Sequence, residues 1–224
     1  MPRLVIAVDV DGTLYDHAGV ADAAVTALRQ ARADGHTIVI VTGRRWEELG
    51  NVVGDVLALA ERAICEEGGV QVHVGTGQLT LLAEPVEPAL LLGLEAANVP
   101  SLDVGHVVIG APTTALALVT EVRDRIGSSR IIITNKGSIA LTPPGCDKGT
   151  GLRAALADLG MVGRPVLAIG DAANDLPMFQ AATIAVGVAN SDDAVRASGV
   201  TLTEGRAGAG VAEALGRYLP QLSR

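Results

Sequence analysis

The sequence has few aromatic residues and few cysteines, and both shortages limit what it can be. Only 2% of its 224 residues are Phe, Trp or Tyr, whereas hydrophobic residues as a whole make up 49%. A core large enough for this length must therefore be built mainly from Ala, Val, Leu and Ile. The two cysteines, Cys65 and Cys146, have neither the close spacing of a metal site nor the number that a disulfide framework needs.

Long apolar runs and an excess of positive charge are also lacking. No segment reaches the roughly 20 apolar residues of a membrane span, and the first apolar run, Leu4 to Val8, is too short for a signal peptide. We therefore expect a soluble, cytoplasmic protein with no membrane partner. Lys and Arg number 17 against 25 Asp and Glu, which gives a formal net charge of −8 and argues against nucleic acid as a partner. Nothing in the sequence indicates an oligomeric state.

The first part of the chain alternates short aliphatic runs with helical patterns. Strands are predicted over Leu4–Val8, Thr37–Val41 and Ala63–Cys65, separated by helices over Ala21–Asp34 and Trp46–Leu59. Such alternation predicts an α/β fold with a Rossmann-like parallel sheet. The alternation resumes near residue 145, with helices predicted over Lys148–Leu159, Leu176–Ala182 and Val211–Leu219 and strands over Pro165–Ile169, Ile184–Val188 and Val200–Thr203.

Between these two parts the pattern changes to hairpins. The predicted elements are a hairpin of Val70–Val74 and Gln78–Ala83, a helix over Pro85–Ala97, a strand over His106–Gly110, a helix over Thr113–Ile126 and a hairpin of Arg130–Thr134 and Ser138–Thr142. Pro and Gly at Glu84-Pro85 and Pro143-Pro144-Gly145 mark the joins. We predict a core of residues 1–83 and 145–224, with residues 84–144 as a small inserted α+β module.

Asp9 and Asp11 follow directly on the first predicted strand. The carboxyl end of a parallel strand is where open α/β sheets bind ligands. Two carboxylates so close repel each other unless a cation or a shared proton relieves them, so the pattern favours a metal-assisted reaction. The alternative is an ordinary solvated turn, since Asp and Gly are common turn residues.

Three further clusters occupy comparable positions. Thr42-Gly43-Arg44 follows the second strand, where a hydroxyl and exposed backbone N–H groups suit a phosphate oxygen, although Thr42 is also a good helix N-cap. Gly170-Asp171 with Asn174 and Asp175 follows a later strand, and oxygen ligands of this kind suit Mg²⁺. The alternative for Asp175 is again an N-cap. Lys148 opens a helix, where the dipole disfavours a cation unless an anion binds nearby, so replacing it is expected not to lower stability. The alternative is a solvated lysine in the first helical turn.

Taken in order, these clusters resemble the four motifs of the haloacid dehalogenase (HAD) superfamily. The motifs are Asp9-Val10-Asp11-Gly12-Thr13, Thr42-Gly43-Arg44, Lys148, and Gly170-Asp171 with Asn174-Asp175. The insert resembles a second-class cap of the Cof-type and sucrose-phosphate-phosphatase-like branch, and its length is closer to that of phosphoglycolate-phosphatase-like members. The resemblance implies that residues 84–144 form a cap that acts as a lid over the catalytic core and sets substrate specificity. Many relatives carry Asn-Gly after the third strand, where this chain has Glu67-Gly68-Gly69.

The resemblance implies a role for each residue. Asp9 is the nucleophile that forms an aspartyl-phosphate, and Asp11 is the general acid and base. Mg²⁺ is bound by Asp9, the backbone carbonyl of Asp11, Asp171 and Asp175. The phosphate is held by Thr42, Gly43 and Lys148, and Asn174 orients the site.

The expected function is a Mg²⁺-dependent phosphatase that acts on a small phosphorylated metabolite, a sugar phosphate or a phosphoglycolate-like compound. One alternative is a phosphotransferase or phosphomutase on the same scaffold. The other is a signalling receiver, which also takes phosphate on an aspartate. Receivers are shorter and place the acceptor after a later strand, so the position of Asp9 argues against that class.

Overall fold

The computed structural model describes residues 3–135 and 137–222, and this part of the chain contains an eight-stranded sheet, a four-stranded sheet and a small two-stranded sheet. In chain order the strands are β1 (Val5–Val8), β2 (Tyr15–Asp16), β3 (Gly19–Val20), β4 (Thr37–Val41), β5 (Arg62–Cys65), β6 (Val70–His73), β7 (Gln78–Leu81), β8 (Asp103–Val104), β9 (Ile109–Pro112), β10 (Ile131–Asn135), β11 (Ser138–Thr142), β12 (Val166–Gly170), β13 (Ile184–Gly187) and β14 (Thr201–Leu202).

Helices cover both faces of the larger sheet and one face of the smaller. They are α1 (Asp22–Ala33), α2 (Trp46–Val53), α3 (Pro88–Ala96), α4 (Leu116–Ile126), α5 (Lys148–Asp158), α6 (Leu176–Gln180), α7 (Asp193–Ala197) and α8 (Ala207–Leu222), with 3₁₀ turns at Gly54–Leu59, Glu66–Gly68, Thr113–Ala115 and Ala173–Asp175. None of the helices within the described ranges combines the length and the apolar character that a membrane crossing requires.

The larger sheet has eight strands in the order β14-β13-β12-β1-β4-β5-β6-β7. The strands from β14 to β5 are parallel, and β6 and β7 extend the sheet as an antiparallel hairpin. This confirms the predicted α/β class. The chain leaves β1 toward β4 on one side and returns through β12 on the other, so the strand order reverses at β1. A crevice at the carboxyl end of such a reversal is the usual ligand site of these sheets.

The side chains of the central strands alternate between two aliphatic cores. Leu4, Ile6 and Val8 pack with helices α1, α2 and α8, whereas Val5 and Ala7 pack with α5, α6 and α7. The continuous apolar run at β1 is therefore buried on both faces, as parallel strands require. Aliphatic residues fill both cores almost alone, as the scarcity of aromatic residues demands.

The smaller sheet is antiparallel, with the order β10-β11-β9-β8. One face packs on α3 and α4 through ten buried side chains, among them Leu90, Val119, Ile109 and Ile139. The predicted second hairpin is confirmed as β10 and β11, and Lys136 in its turn lies outside the described residues. The opposite face of β9 and β11 is directed at the carboxyl ends of the larger sheet.

Several predicted boundaries differ from the observed ones. The helix predicted over Trp46–Leu59 ends at Val53, because Gly54 has a φ of 52° and only 3₁₀ turns continue beyond it. The last helix begins at Ala207, four residues before the predicted start at Val211. A Cβ on Gly208 would lie 2.9 Å from the Cβ of Ala21, so glycine there allows α8 to pack closely on the start of α1.

Two buried charged residues fix the segments that join the sheets. The Arg130 guanidinium donates to the carbonyl oxygens of Glu84 (3.2 Å), Pro85 (2.6 Å) and Val107. The Glu66 carboxylate accepts from the backbone N–H groups of three successive residues, His106 (3.0 Å), Val107 (2.7 Å) and Val108 (3.0 Å). These contacts hold the smaller sheet above the crevice.

Candidate active site

The predicted motifs meet at the carboxyl edge of the three central strands. Asp9 follows β1, Thr42 follows β4, and Gly170 is the last residue of β12, which pairs with β1. The fourth predicted position, Lys148, is the first residue of α5. Its preceding residue, Asp147, caps the helix by accepting from the N–H of Thr150 at 2.7 Å.

Three buried carboxylates form the centre of the site. Asp9, Asp171 and Asp175 offer oxygen atoms that lie within 4.8 Å of one another, and all three side chains are buried. Lys148 Nζ lies 2.6 Å from Asp9 Oδ1 and 2.6 Å from Asp175 Oδ1, and Lys148 is only 2% exposed. The ammonium thus compensates part of a negative charge that burial makes costly.

The pKa values of Asp9 and Lys148 at this centre are strongly shifted. Burial raises the pKa of the Asp9 carboxyl well above its ordinary value, the charge of Asp175 raises it further, and Lys148 offsets only part of the effect. Burial alone would lower the pKa of the Lys148 ammonium, but the charges of Asp175 and Asp9 outweigh burial and raise it. Perturbed groups of this kind in a cleft are typical of functional sites.

The loop after β12 holds Asp175 by backbone hydrogen bonds. Asp175 Oδ2 accepts from the N–H groups of Asp171 (2.8 Å) and Ala172 (3.0 Å). Although Asp175 occupies the N-cap position of α6, its side chain accepts no capping hydrogen bond from that helix. The N-cap alternative therefore does not explain this residue.

Asp171 is held by residues from two other segments. Thr13 Oγ1 donates to Asp171 Oδ1 at 3.2 Å, and Asn190 Nδ2 lies 3.4 Å from Asp171 Oδ2. The same Asn190 amide donates to the carbonyl of Gly12 at 2.6 Å, so it ties the loop after β13 to the first motif. The sequence analysis missed Asn190, since no local pattern marks it.

We expect Gly170→Ala to lower kcat/KM by about 100-fold or more, because misplacing a site residue by about 1 Å can have an effect of this size. A Cβ at Gly170 would lie 2.5 Å from Asp175 Oδ2 and would push that carboxylate out of place. Gly216→Ala in α8 is the matched control. Its Cβ would meet nothing within 4 Å, and we expect full activity and about 0.5–1 kcal/mol of added helix stability. Equal kinetics for the two variants would contradict the expectation.

The second motif forms the wall beside Asp9. Thr42 is buried, and its Oγ1 accepts from the backbone N–H of Arg44 at 3.1 Å, whereas α2 has Arg45 as its N-cap. Thr42 is therefore not the cap of α2.

Arg44 forms two hydrogen bonds with Asp11, Nε to Oδ2 and Nη2 to Oδ1, each of 2.7 Å. Both oxygens of the predicted acid and base are engaged by this arginine.

Glu67 is a site residue that the sequence analysis did not assign. Its side chain is buried in the site, and both carboxylate oxygens lie 3.1 Å from Asn174 Nδ2. Burial raises the pKa of Glu67, which the charge of Lys148 and the amide of Asn174 lower only in part. Its carboxylate also occupies the space where a Cβ on Gly43 would lie, so the second motif needs glycine at that position.

A cavity of about 560 Å³ lies between the two sheets. Asp9, Asp11, Gly43, Lys148 and Asn174 are at its floor and walls, and the smaller sheet supplies its roof. Thr42, Asp171 and Asp175 lie outside its lining, in the wall behind it. The structure thus places five of the predicted site residues on the lining of this partly open cavity and the other three next to lining residues.

Comparison with known proteins agrees with this geometry. The chain is 27% identical over 234 residues to a phosphoglycolate phosphatase of Nitrosopumilus maritimus (100% of this chain, 99% of the relative). It is 29% identical over 223 residues to a phosphoglycolate phosphatase of Methanothermobacter thermautotrophicus (96% and 98%). A crystal structure of a haloacid dehalogenase-like hydrolase from Bacteroides thetaiotaomicron shares the fold, with a TM-score of 0.78, 19% identity and coverage of 96% and 99%. The haloacid dehalogenase-like hydrolase family matches residues 6–87 and 100–215, and the chain belongs to that family.

Proposed function

We propose that this protein is a Mg²⁺-dependent phosphomonoester hydrolase that acts on a small phosphorylated metabolite through an aspartyl-phosphate on Asp9. One observation carries the proposal: Lys148 bridges Asp9 and Asp175 within a buried carboxylate cluster at the floor of a roofed cleft. Folding alone does not favour three buried carboxylates, whereas a reaction at phosphate uses them. The phosphatase relatives support the same activity.

The donor set fits Mg²⁺. The cluster offers only oxygen atoms, as a hard cation requires, and one lysine does not balance the three carboxylates. Asp9, Asp171, Asp175 and the backbone carbonyl of Asp11 would hold the ion. When bound, it would neutralise charge that otherwise repels a carboxylate nucleophile from a phosphate.

The chain's own residues supply the remaining steps of the proposed reaction. One oxygen of Asp9 attacks phosphorus, and the bond to the leaving oxygen breaks as Asp11 donates a proton to it. Asp11 must release Arg44 to do this, because that guanidinium engages both of its oxygens. Asp11 then takes a proton from the water that attacks phosphorus and frees Asp9. Lys148 and the backbone of Gly43 hold the phosphate oxygens.

The position of the smaller sheet above the cavity favours a small substrate and a cap role for residues 84–144. A cavity of about 560 Å³ accommodates a phosphomonoester with a compact leaving group and excludes a folded phosphoprotein. Enclosure also keeps bulk water from the aspartyl-phosphate. We therefore propose residues 1–83 and 145–224 as the catalytic core and the insert as the specificity domain.

Release of free phosphate in the presence and absence of Mg²⁺ tests the proposal. We expect activity on small phosphomonoesters that is lost in excess chelator, restored by Mg²⁺ and inhibited by Ca²⁺, because Ca²⁺ takes more ligands at longer distances and would displace the Asp9 carboxylate. Full activity in chelator would contradict the metal assignment. Phosphate transfer to a second hydroxyl without release of free phosphate would identify a phosphotransferase instead.

A further inference from the structure

The roof of the cavity has few charged residues that could contact the leaving group of a substrate. Strands β9 and β11 alternate between the core of the smaller sheet and the cavity, to which they present Gly110, Pro112, Ser138 and Ala140. These residues provide small surfaces, backbone groups and one hydroxyl. Among the described residues of these two strands, none that lines the cavity is charged. Charge selection must therefore come from another part of the lining.

An ion pair at the rim links the roof of the cavity to its floor. Arg45 Nε lies 2.8 Å from Asp103 Oδ1, and both residues line the cavity. Arg45 follows the second motif on the larger sheet, and Asp103 begins β8 on the smaller one. Their side chains are 34% and 51% exposed, so an entering molecule can reach the pair, whereas Arg45 Nε itself is buried and its contact with Asp103 lacks hydrogen-bond geometry. We refer to Arg45 and Asp103 as the rim ion pair.

Each partner of the rim ion pair is fixed by its own segment. Arg45 is the N-cap of α2, and its Nη2 also lies 3.0 Å from Glu48 Oε1. Asp103 pairs with Gly110 in the smaller sheet, and the carboxylate of Glu66 holds the backbone that follows it. The backbone on each side of the contact is therefore held by its own segment, so the two side chains start from fixed positions.

The other arginine in this region is also engaged, because Arg44 pairs with Asp11. A carboxylate on a leaving group would thus have to compete with Asp103 for Arg45, and with Asp11 for Arg44 until Asp11 releases that arginine. A leaving group that carries only hydroxyls meets no such competition. On the basis of the proposed phosphatase function, we propose that Asp103 determines substrate specificity. Because Asp103 pairs with Arg45, it disfavours leaving groups that carry a carboxylate.

The test compares substrates within one variant, so that a general loss of activity cancels. The measured quantity is kcat/KM for 2-phosphoglycolate divided by kcat/KM for glycerol 3-phosphate, with Mg²⁺ present. We expect Asp103→Asn to raise this ratio about fivefold, because an ion pair at a partly exposed position contributes up to about 1 kcal/mol. Asp124→Asn is the matched control. It removes the same charge from α4, where Asp124 pairs with Arg123, and we expect the wild-type ratio.

Replacing the other partner should shift selectivity in the opposite direction. Arg45→Gln leaves Asp103 without its cation, so we expect the ratio of phosphoglycolate to glycerol phosphate to fall. Hydrolysis of phosphoethanolamine, whose leaving group carries an ammonium, should rise relative to glycerol phosphate. Opposite shifts in the two variants distinguish charge recognition from a structural role, because disturbed packing would lower activity on all three substrates alike.

Different experimental results would overturn the proposed function and the role of the rim ion pair. If neither these substrates nor p-nitrophenyl phosphate releases phosphate with Mg²⁺, the proposed function fails. If they are hydrolysed but Asp103→Asn leaves the ratio unchanged, the role of the rim ion pair is overturned. Lys136, outside the described residues, provides a further variant. A loss of phosphoglycolate selectivity in Lys136→Gln, with no shift in Asp103→Asn, would assign carboxylate recognition to that turn and overturn the inference.

Discussion

Asp9→Asn is expected to abolish turnover, with a loss of about 10⁴-fold or more, because an amide oxygen is not a competent nucleophile at phosphorus. The substitution should preserve the fold. Asparagine has nearly the same size, and Lys148 keeps its contact with Asp175 at 2.6 Å. The measurement is release of phosphate together with intact-protein mass after rapid acid quench, which should show no phosphorylated protein. Substantial activity in this variant would contradict the role of Asp9.

Asp11→Asn provides the comparison within the same motif. It keeps the nucleophile and the backbone carbonyl but removes the proton donor and base. An activated aryl phosphate has a leaving group that needs little protonation, so it should still phosphorylate Asp9, while hydrolysis of the intermediate is slow without a base. The quench should then show a mass increase of one phosphoryl group. Label on a residue other than Asp9 would show that the roles are assigned wrongly.

The central strands were predictable because their signals are local. Leu4–Val8 and Thr37–Val41 are aliphatic runs that end abruptly in polar residues, and burial on both faces requires that pattern. The residues that follow these runs are adjacent in space because parallel strands place their carboxyl ends at one edge of the sheet. The cluster of Asp9 and Asp171 could thus be expected from sequence alone.

Glu67 could not be recognised in the same way. Glu66-Glu67-Gly68-Gly69 has the composition of a solvated turn, yet both acids are buried. Their partners come from distant segments: Asn174 contacts Glu67, and the backbone around Val107 binds Glu66. Both glutamates also have positive φ values, 51° and 55°, which no propensity predicts for glutamate. Tertiary contacts decide the conformation of this turn.

At the glycine-rich segment 204–210, the predicted start of the last helix is wrong. Glycine lowers helix propensity, so the predicted helix begins only at Val211, after the glycine-rich residues 204–210. The helix nevertheless begins at Ala207, since Gly208 and Gly210 permit close contacts that larger residues would prevent. Packing of α8 on α1 outweighs local propensity here, and no pattern within the segment itself reports that packing.

Lys148→Met is expected to affect both catalysis and stability, which changes the expectation from sequence. From the helix dipole alone, no loss of protein stability is expected when Lys148 is replaced, but that expectation holds only for a solvated lysine. Lys148 is 2% exposed and bridges two buried carboxylates. Removing one partner of a buried ion pair costs about 3–5 kcal/mol, because the other partner stays buried without compensation. For a protein of this size, we expect a fall in Tm of about 10 °C in chelator.

The two losses can be separated by adding Mg²⁺. A divalent cation bound by Asp9, Asp171 and Asp175 would replace the missing positive charge, and binding to the folded state stabilises it by mass action. We therefore expect Mg²⁺ to restore part of the Tm of Lys148→Met. It should leave kcat/KM about 100-fold or more below wild type, because the donor that holds the phosphate oxygens is still absent. Arg153→Met, an exposed position on the same helix, is the matched control and should match wild type in both measurements. An unchanged Tm in chelator, or wild-type kinetics with Mg²⁺, would show that Lys148 neither balances the carboxylates nor binds the phosphate.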